Sequence, residues 1–284
     1  MSNMLKLIYL ILLIIFFKRS KKVTKLTRLP EDIFFFNKTI IESHRGMNKM
    51  VFQNTIESFK KALEYNMESL EVDVWLTKDN VAVIHHGYGD FGNIEGIYDH
   101  PGNITNLTWK ELSSYKTIEQ KLSMPLLRDT MKLIKNKMFL NLEIKDPRID
   151  IVFPYIIELI EEFDFFSQIY LSSFYHGYYE KIQEYNKNNN RNLIFGFLYD
   201  KYKQNDFDYS KNGNILNIYW ADATKSVCDK AHLNNMAVLV WFEMEDKETI
   251  QIYRQLMENE VDIICSNDPL FAKKYLNYYK RFLM

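Results

Sequence analysis

The sequence is poor in cysteine, proline and glycine, and it carries no excess of charge of either sign. Only Cys228 and Cys265 occur among 284 residues, which excludes a disulfide framework, and neither has neighbours at zinc-ligand spacing. The 36 basic and 37 acidic residues give a net charge of −1, so nothing is available to neutralise a nucleic-acid backbone and no nucleic-acid partner is expected. Hydrophobic residues make up 47% of the chain, which suffices for a large buried core.

Long hydrophobic runs are also missing, with one marginal case near the N-terminus. Residues 7–17 are all apolar and as a helix would span about 16 Å, against about 30 Å of hydrocarbon. Because no small-residue cleavage site follows, we predict that residues 1–28 form a retained membrane anchor or signal anchor with a basic flank. The basic flank favours a cytosolic position for the rest of the chain, whereas sequons at Asn37, Asn103 and Asn106 favour the other side. Such triplets arise by chance in an Asn-rich chain, so the cytosolic side is slightly favoured.

Residues 38–275 are predicted to form one domain, because no linker or change of composition divides them. Short β-branched runs alternate with stretches of helical periodicity, which indicates a parallel sheet, either closed or open. Nine runs are one more than an eight-stranded barrel needs. The gap Lys78–Asn80 is too short for a parallel crossover, so the second and third runs are predicted to form a hairpin. Residues 88–108, rich in Gly, Asn and Asp, are predicted to form a loop or small lid. The nine runs are 39–43, 70–76, 81–85, 138–144, 169–173, 193–198, 215–220, 237–242 and 261–265.

The hairpin carries two acids, Glu71 and Asp73, which alternation places on one face of a strand. If the turn is centred between residues 79 and 80, the cross-strand partner of Asp73 is His86. Burying two carboxylates together is costly unless a cation neutralises them, and a hard ion such as Ca²⁺ or Mg²⁺ suits oxygen ligands. The alternative is that these acids are solvated or paired with Lys or Arg at a strand end.

Further polar side chains lie at the ends of other predicted strands. His44 and Arg45 end the first strand, where the sites of barrel enzymes are built. Glu143 and Lys145 share a face of the fourth run, so Glu143 is a candidate third carboxylate for the ion. Trp241 ends the eighth run, where it either lines a pocket or is a buried core aromatic.

Several motifs, in this order along the chain, resemble the glycerophosphodiester phosphodiesterase family. The resemblance covers about residues 40–270 and implies a (β/α)₈ TIM-type barrel that hydrolyses glycerophosphodiesters to glycerol 3-phosphate and an alcohol. It implies the following roles: Glu71, Asp73 and Glu143 as metal ligands, His44 and His86 as the acid/base pair, and Arg45 and Lys145 as phosphate-binding groups. The motifs are Ser43-His44-Arg45-Gly46, Gln53-Asn54-Thr55, Glu71-Val72-Asp73, Val83-Ile84-His85-His86, Asn141-Leu142-Glu143-Ile144-Lys145, Ser172-Ser173-Phe174, Val240-Trp241 and Asp268-Pro269.

Two positions depart from the family pattern. Gln53 stands where the family usually has Glu, which removes a charge expected near His44. The usual His-Asp after the third strand is here His86-Gly87, preceded by a second histidine, His85. Strand alternation favours His86 as the site residue and directs His85 with Val83 toward packing.

Two functions from different classes follow. The first is metal-dependent hydrolysis of glycerophosphodiesters, extended to lysophospholipids as a lysophospholipase D reaction, since a membrane anchor favours lipid-like substrates. The second is a catalytically silent, membrane-attached barrel that binds phospholipid or a protein partner, for which Gln53 is the main support. A zinc amidohydrolase on the same fold would need a histidine-rich ligand set that is not evident.

Overall fold

The computed structural model describes residues 39–282. The predicted anchor at residues 1–28 lies outside the described residues, so it stays a prediction, as do the limits 38–275 of the domain. Among residues 39–282 no helix has both the length and the hydrophobicity of a membrane span. The strands are β1 (Ile40–His44), β2 (Ser69–Leu76), β3 (Ala82–Ile84), β4 (Phe139–Ile144), β5 (Ile169–Ser173), β6 (Phe195–Leu198), β7 (Ile215–Tyr219), β8 (Ala237–Trp241) and β9 (Ile263–Ser266). The helices are α1 (Ile56–Glu64), α2 (Trp109–Leu112), α3 (Leu127–Ile134), α4 (Ile149–Glu162), α5 (Tyr178–Asn189), α6 (Lys225–Leu233), α7 (Ile250–Glu258) and α8 (Pro269–Phe282).

Eight of these strands close into a parallel barrel. The hydrogen-bonded order is β1-β9-β8-β7-β6-β5-β4-β2, and β1 pairs with both β2 and β9, which joins the ends of the sheet. The ninth strand, β3, pairs antiparallel with β2 outside the closed ring. The predicted (β/α)₈ barrel with one extra hairpin strand is therefore confirmed.

Alternation along the strands separates two layers of side chains. Outward residues such as Val72 and Leu142 are fully buried against the helices. Inward residues change in character along each strand: Ile40 and Phe139 fill the N-terminal end of the barrel, whereas His44 and Glu143 lie at the C-terminal end. Apolar starts and polar ends of strands thus place the charged groups at one mouth of the barrel.

The β2–β3 turn differs by one residue from the prediction. Thr77 N donates to Val81 O at 3.0 Å, and Val81 N donates to Thr77 Oγ1 at 2.9 Å, which leaves a three-residue loop. Asn80 adopts a left-handed conformation with φ 61°, as the third residue of such loops commonly does. The strand pairing then places His85, and not His86, opposite Asp73, and His85 N donates to Asp73 O at 3.0 Å.

The chain between β3 and α3 packs over one side of the barrel mouth. It contains the predicted loop or lid at residues 88–108, which includes two short 3₁₀ turns. A separate small core lies beneath it and takes Trp75 from β2, so Trp75 belongs to this cap and not to the barrel interior. Trp75 Nε1 donates to His86 O at 3.0 Å. Gly87 has φ 62°, and a Cβ there would lie 2.9 Å from Trp75 Nε1, so glycine is required next to His86.

Candidate active site

Charged side chains surround a cavity of about 280 Å³ at the C-terminal mouth of the barrel. All three predicted acids and both predicted cations are brought together there, as are His44 and His86. They come from the ends of β1, β2, β3 and β4 and from the residues that follow them. Because the parallel strands of the barrel end at the same edge, residues as far apart in the chain as His44 and Lys145 converge there.

Three carboxylates converge at the floor of the cavity. Glu71, Asp73 and Glu143 each have an oxygen within 4.8 Å of those of the other two, and all three residues are buried. Glu71 Oε1 and Asp73 Oδ1 accept no hydrogen bond although they are buried, and Glu143 Oε1 contacts only Lys145 Nζ at 2.9 Å. Buried acceptors without donors are costly, and a hard divalent cation would bind an oxygen of each of the three carboxylates at once. The residues present therefore fit a divalent metal.

The pKa values of the three acids also fit a site that binds a cation. Burial, followed by repulsion from Asp73 and Glu143, raises the pKa of Glu71 well above its ordinary value. Burial also raises the pKa of Glu143. Burial alone would raise the pKa of Asp73 as well, but Arg45, with help from His86 and Lys145, holds it below the ordinary value. The nearby cations therefore neutralise one of the three acids but not the whole set.

Arg45 is fixed in the site by both its backbone and its side chain. Its φ of 57° lies in the left-handed region, and its amide donates to Glu71 Oε2 at 2.9 Å. Its Nε lies 3.1 Å from Asp73 Oδ2, and its Nη1 donates to Gln53 Oε1 at 2.7 Å. The departure at Gln53 therefore bears directly on the arginine: the amide accepts a hydrogen bond where a carboxylate would add a second negative charge.

Lys145 contacts both an acid and a histidine. Its Nζ lies 2.9 Å from Glu143 Oε1 and 3.3 Å from His86 Nε2. Burial works to lower its pKa, but attraction to Glu143 and Asp73 prevails and raises it. The ammonium therefore stays charged and donates to the Nε2 lone pair of His86.

Asn267 holds the ring of His44 in one orientation. His44 Nδ1 lies 2.6 Å from Asn267 Oδ1, while Asn267 Nδ2 donates to Glu243 O at 2.8 Å, which fixes the amide so that its oxygen faces the ring. Nδ1 must therefore carry the proton, and Nε2 keeps a lone pair 3.9 Å from Glu71 Oε2. Burial, followed by repulsion from Arg45, lowers the pKa of His44 to about 3, so the ring is neutral.

The two adjacent histidines have different surroundings. His86 turns into the cavity, where burial and nearby cations lower its pKa to about 2, and its Nδ1 has no hydrogen-bond partner. His85 packs its ring edge against Tyr98, with centroids 5.3 Å apart, and does not line the cavity. His85 faces the side of Asp73 because of the hairpin register, whereas His86 turns inward because β3 ends at Ile84 and strand alternation stops.

The inner surface of the opposite half of the mouth is neutral and aromatic, and Glu243 at its outer rim is paired with Lys201 at 2.9 Å. Trp241 is partly buried, its ring lies 5.3 Å from Tyr219 and 6.3 Å from Phe174, and its Nε1 has no partner. Phe174 also lies beneath Lys145 Nζ, 5.6 Å from the ring centroid. This half of the cavity offers apolar surface and one free N–H donor.

Three residues of the site were not identified as such from the sequence: Asn54, Cys265 and Asn267. Asn54 Nδ2 donates to Asp73 Oδ2 at 2.7 Å, and Cys265 faces the same cavity. In the sequence they are marked only by their position near a strand end or within a motif. Such a position does not reveal which side chain each of them contacts. Their roles depend on distances between strands that are remote in the sequence.

The architecture is a (β/α)₈ barrel whose C-terminal mouth brings together three buried acids, two histidines and two cations, a set that fits a divalent metal. The family model described as the glycerophosphoryl diester phosphodiesterase family matches residues 44–270. The chain belongs to this family.

Individual relatives carry the same description. A glycerophosphodiester phosphodiesterase of Caldanaerobacter subterraneus subsp. tengcongensis is 32% identical over 150 residues, which cover 49% of this chain and 59% of that protein. One of Bacillus altitudinis is 29% identical over 150 residues, with the same coverage. The matched stretch thus spans about three fifths of the length of these curated relatives.

Solved structures share the fold. A glycerophosphodiester phosphodiesterase from Parabacteroides distasonis has a TM-score of 0.70 at 20% identity, covering 86% of this chain and 98% of that one. An Oleispira antarctica phosphodiesterase in complex with the product sn-glycerol-3-phosphate has a TM-score of 0.68 at 17% identity, covering 84% and 97%. At these identities the likeness concerns the barrel itself.

Proposed function

We propose that the protein hydrolyses glycerophosphodiesters to glycerol 3-phosphate and an alcohol. The observation that carries the proposal is the convergence of three buried carboxylates with two histidines and two cations. A phosphodiester needs a counter-charge for its oxygens, a base and an acid. The names of the relatives and the product bound in the Oleispira antarctica structure support the same substrate class.

Glu71, Asp73 and Glu143 would hold the divalent ion, and Ca²⁺ or Mg²⁺ suits a set made only of oxygens. When bound, the ion supplies Lewis-acid stabilisation of phosphate charge and lowers the pKa of a coordinated hydroxyl. Arg45 and Lys145 flank these acids and bind the remaining non-bridging oxygens. Their charge stabilises the transition state more than the ground state because negative charge builds up on those oxygens.

His44 suits the role of the base. Asn267 accepts from its Nδ1–H, so Nε2 has the free lone pair that takes a proton from the attacking hydroxyl or water. His86 would then protonate the leaving alcohol. Lys145 donates to His86 Nε2 in the free site, and a bound phosphate competes for that ammonium. The negative charge of the phosphate also raises the pKa of His86 and so favours its protonated form.

Lysophospholipids are the finer proposal for the substrate, with the membrane anchor at residues 1–28 as the means of meeting them. Exposed apolar side chains line the cavity: Tyr88 is 58% exposed, Met244 38% and Phe174 37%. A single acyl chain leaving the barrel mouth would contact this rim. The rings of Trp241, Phe174 and Tyr219 also suit a choline head group through cation–π attraction.

The experiment compares choline release from glycerophosphocholine and from lysophosphatidylcholine, with Ca²⁺, Mg²⁺ or a chelator present. We expect cleavage of glycerophosphocholine that depends on added metal, with glycerol 3-phosphate as the second product. Cleavage of lysophosphatidylcholine would support the lysophospholipase D proposal. Binding of either ligand without cleavage under any metal would favour the silent barrel and overturn the hydrolase proposal.

A further inference from the structure

Cys265 lies in the cavity, yet no step of the proposed reaction uses it. It faces the barrel interior near the end of β9 and is 2% exposed. It lines the same cavity as His44 and Glu71. The other cysteine, Cys228, is buried in the outer layer between α6 and the sheet, so only one of the two thiols lies near the charged groups.

The thiol, an imidazole and a carboxylate form a compact set of ligands. One ligand atom each from His44, Glu71 and Cys265 lies within 4.8 Å of the other two. Because His44 Nδ1 is engaged by Asn267, Nε2 is the free ring nitrogen, and it lies 3.9 Å from Glu71 Oε2. Tetrahedral zinc places such atoms ~3.3–3.6 Å apart, so movements of about 1 Å would close the set.

We propose that His44, Glu71 and Cys265 form a second ion site, which binds zinc or a comparable thiophilic divalent cation. The donors are one nitrogen, one oxygen and one sulfur, and zinc accepts all three. Three protein ligands leave a fourth position open toward the cavity, as in accessible zinc sites. This site could not be predicted from the sequence, because its ligands come from β1, β2 and β9 and form no motif with a fixed spacing.

The nature of the ion decides which site it occupies. Ca²⁺ and Mg²⁺ prefer oxygen and bind thiolates poorly, so they select Glu71, Asp73 and Glu143. A thiophilic ion gains from the sulfur and nitrogen and selects Cys265 and His44. Because the metal ligand is the thiolate, binding releases the proton of the Cys265 thiol to solvent.

Occupation of this site blocks catalysis, because a cation on His44 Nε2 occupies the lone pair that takes the proton. Glu71 is also drawn away from the all-oxygen site. This consequence rests on the proposed function, whereas ion binding itself does not. Zinc is therefore expected to inhibit the enzyme even when Ca²⁺ or Mg²⁺ is saturating.

Cadmium provides a binding test that needs no substrate, because a Cd²⁺–thiolate bond gives an ultraviolet charge-transfer band. The full chain, reduced and loaded with Mg²⁺, is titrated with Cd²⁺. We expect one equivalent to produce the band in the wild type and in Cys228→Ser, which is the matched control. Cys265→Ser and Cys265→Ala should lack it, with thermal unfolding used to verify that both are folded. A band that persists without Cys265, or that is absent from the folded wild type, overturns the proposal.

Zinc inhibition of glycerophosphocholine cleavage provides the second test. Relative to its own activity in Mg²⁺, each Cys265 variant should need ~100-fold more Zn²⁺ for half inhibition than the wild type. Equal sensitivity of wild type and Cys265→Ser would show that zinc acts elsewhere and overturn the inhibitory role. If no variant hydrolyses any substrate while the cadmium band behaves as expected, the second site stands and the proposed hydrolase function fails.

Discussion

The two halves of the barrel mouth differ in kind although the same eight strands build them. On the side of β1, β2 and β4, the cavity is lined mainly by charged or ionisable residues, and the carboxylates are buried beside two cations. On the side of β6, β7 and β8, the corresponding positions are Leu198, Asn217, Leu239 and Trp241. The barrel supplies the frame for both halves, and the side chains alone decide their chemistry.

The difference divides the tasks of the proposed reaction. A phosphate and its metal need the charged half, where the burial of the ligands strengthens each electrostatic contact. The departing alcohol needs only apolar contact and room, which the neutral half offers. Substitutions in the charged half should therefore lower kcat, and substitutions in the neutral half should mainly alter KM for particular head groups.

The largest effect is expected from Glu143→Gln in the charged half. The change keeps the shape but removes one of the three carboxylates proposed to hold the metal, so kcat/KM should fall by ~10³-fold as several kcal/mol of charge stabilisation are lost. Calorimetric titration with Mg²⁺ should show weakened binding in the same variant. Glu243→Gln is the matched control at the neutral rim, where the carboxylate pairs with exposed Lys201 at 2.9 Å. Comparable losses in both variants would contradict the division.

Replacing each of the adjacent histidines separates acid/base function from packing. His86→Gln should lower kcat by ~10²-fold or more, the usual range for a general acid. His85→Gln should keep kcat within about tenfold, because His85 contacts Tyr98 outside the cavity and a ring there affects the site only through packing. A greater loss in the His85 variant would transfer the catalytic role to that residue.

Asn267 is a positioning residue, and its effect should be smaller. Asn267→Ala frees the ring of His44 and should lower kcat/KM ~10–100-fold, as for other groups that orient a functional histidine. Asn267→Asp still accepts from Nδ1–H, and its negative charge raises the pKa of His44. The acid limb of the pH profile should therefore move to higher pH in Asn267→Asp. An unchanged profile would show that Asn267 supports the fold only.

The neutral half is tested by Trp241→Leu. Loss of the indole should raise KM for glycerophosphocholine ~2–30-fold, the value of a cation–π contact of about 0.5–2 kcal/mol, and leave kcat largely unchanged. KM for a diester with an uncharged alcohol should change less. Equal changes for both substrates would mean that Trp241 contributes shape and not recognition of a cation.

The smallest effect concerns His85, beside the charged half, and it is measured as the pH dependence of the free energy of unfolding. Burial lowers the pKa of His85 from 6.5 to about 4, so below pH 6.5 the unfolded chain binds a proton that the folded chain does not. The free energy of unfolding therefore falls as the pH drops from 6.5 toward 4, by up to about 3 kcal/mol from this group. Urea unfolding of His85→Gln should show a shallower fall over this range, and an identical slope would refute the assignment.

Much of the fold was predictable because it depends on local patterns. All nine runs became strands within two residues of their predicted bounds, since burial on both faces imposes a β-branched composition that remains visible in the sequence. Alternation likewise placed Glu71 and Asp73 together and Val72 and Val74 on the helix side. The hairpin register was wrong by one residue, because the loop length depends on the Thr77 and Asn80 geometry and not on the hydrophobic pattern.

The site was predictable only as far as strand ends reveal it. Glu143 and Lys145 could be placed on one face, but the contact of Lys145 with His86 crosses between elements. His86 was predicted as a site residue because it was expected to lie opposite Asp73. In the structure His85 lies opposite Asp73, and His86 reaches the cavity because β3 ends at Ile84. No local sequence pattern identifies Asn267 and Cys265 as site residues. Their neighbours in the site, His44 and Glu71, belong to β1 and β2 and lie more than 190 residues earlier in the chain.

The apolar N-terminal end of the barrel also governs how molecules leave it. That end is closed by the buried side chains of Ile40, Phe139, Ile215 and Ile263. Substrate therefore enters, and products leave, through the C-terminal mouth. In the proposed reaction a phosphate held at the floor would lie behind the alcohol at the rim, so the alcohol is expected to leave first and glycerol 3-phosphate last. Glycerol 3-phosphate should consequently be the product that competes with incoming substrate, and steady-state product inhibition will reveal whether it does.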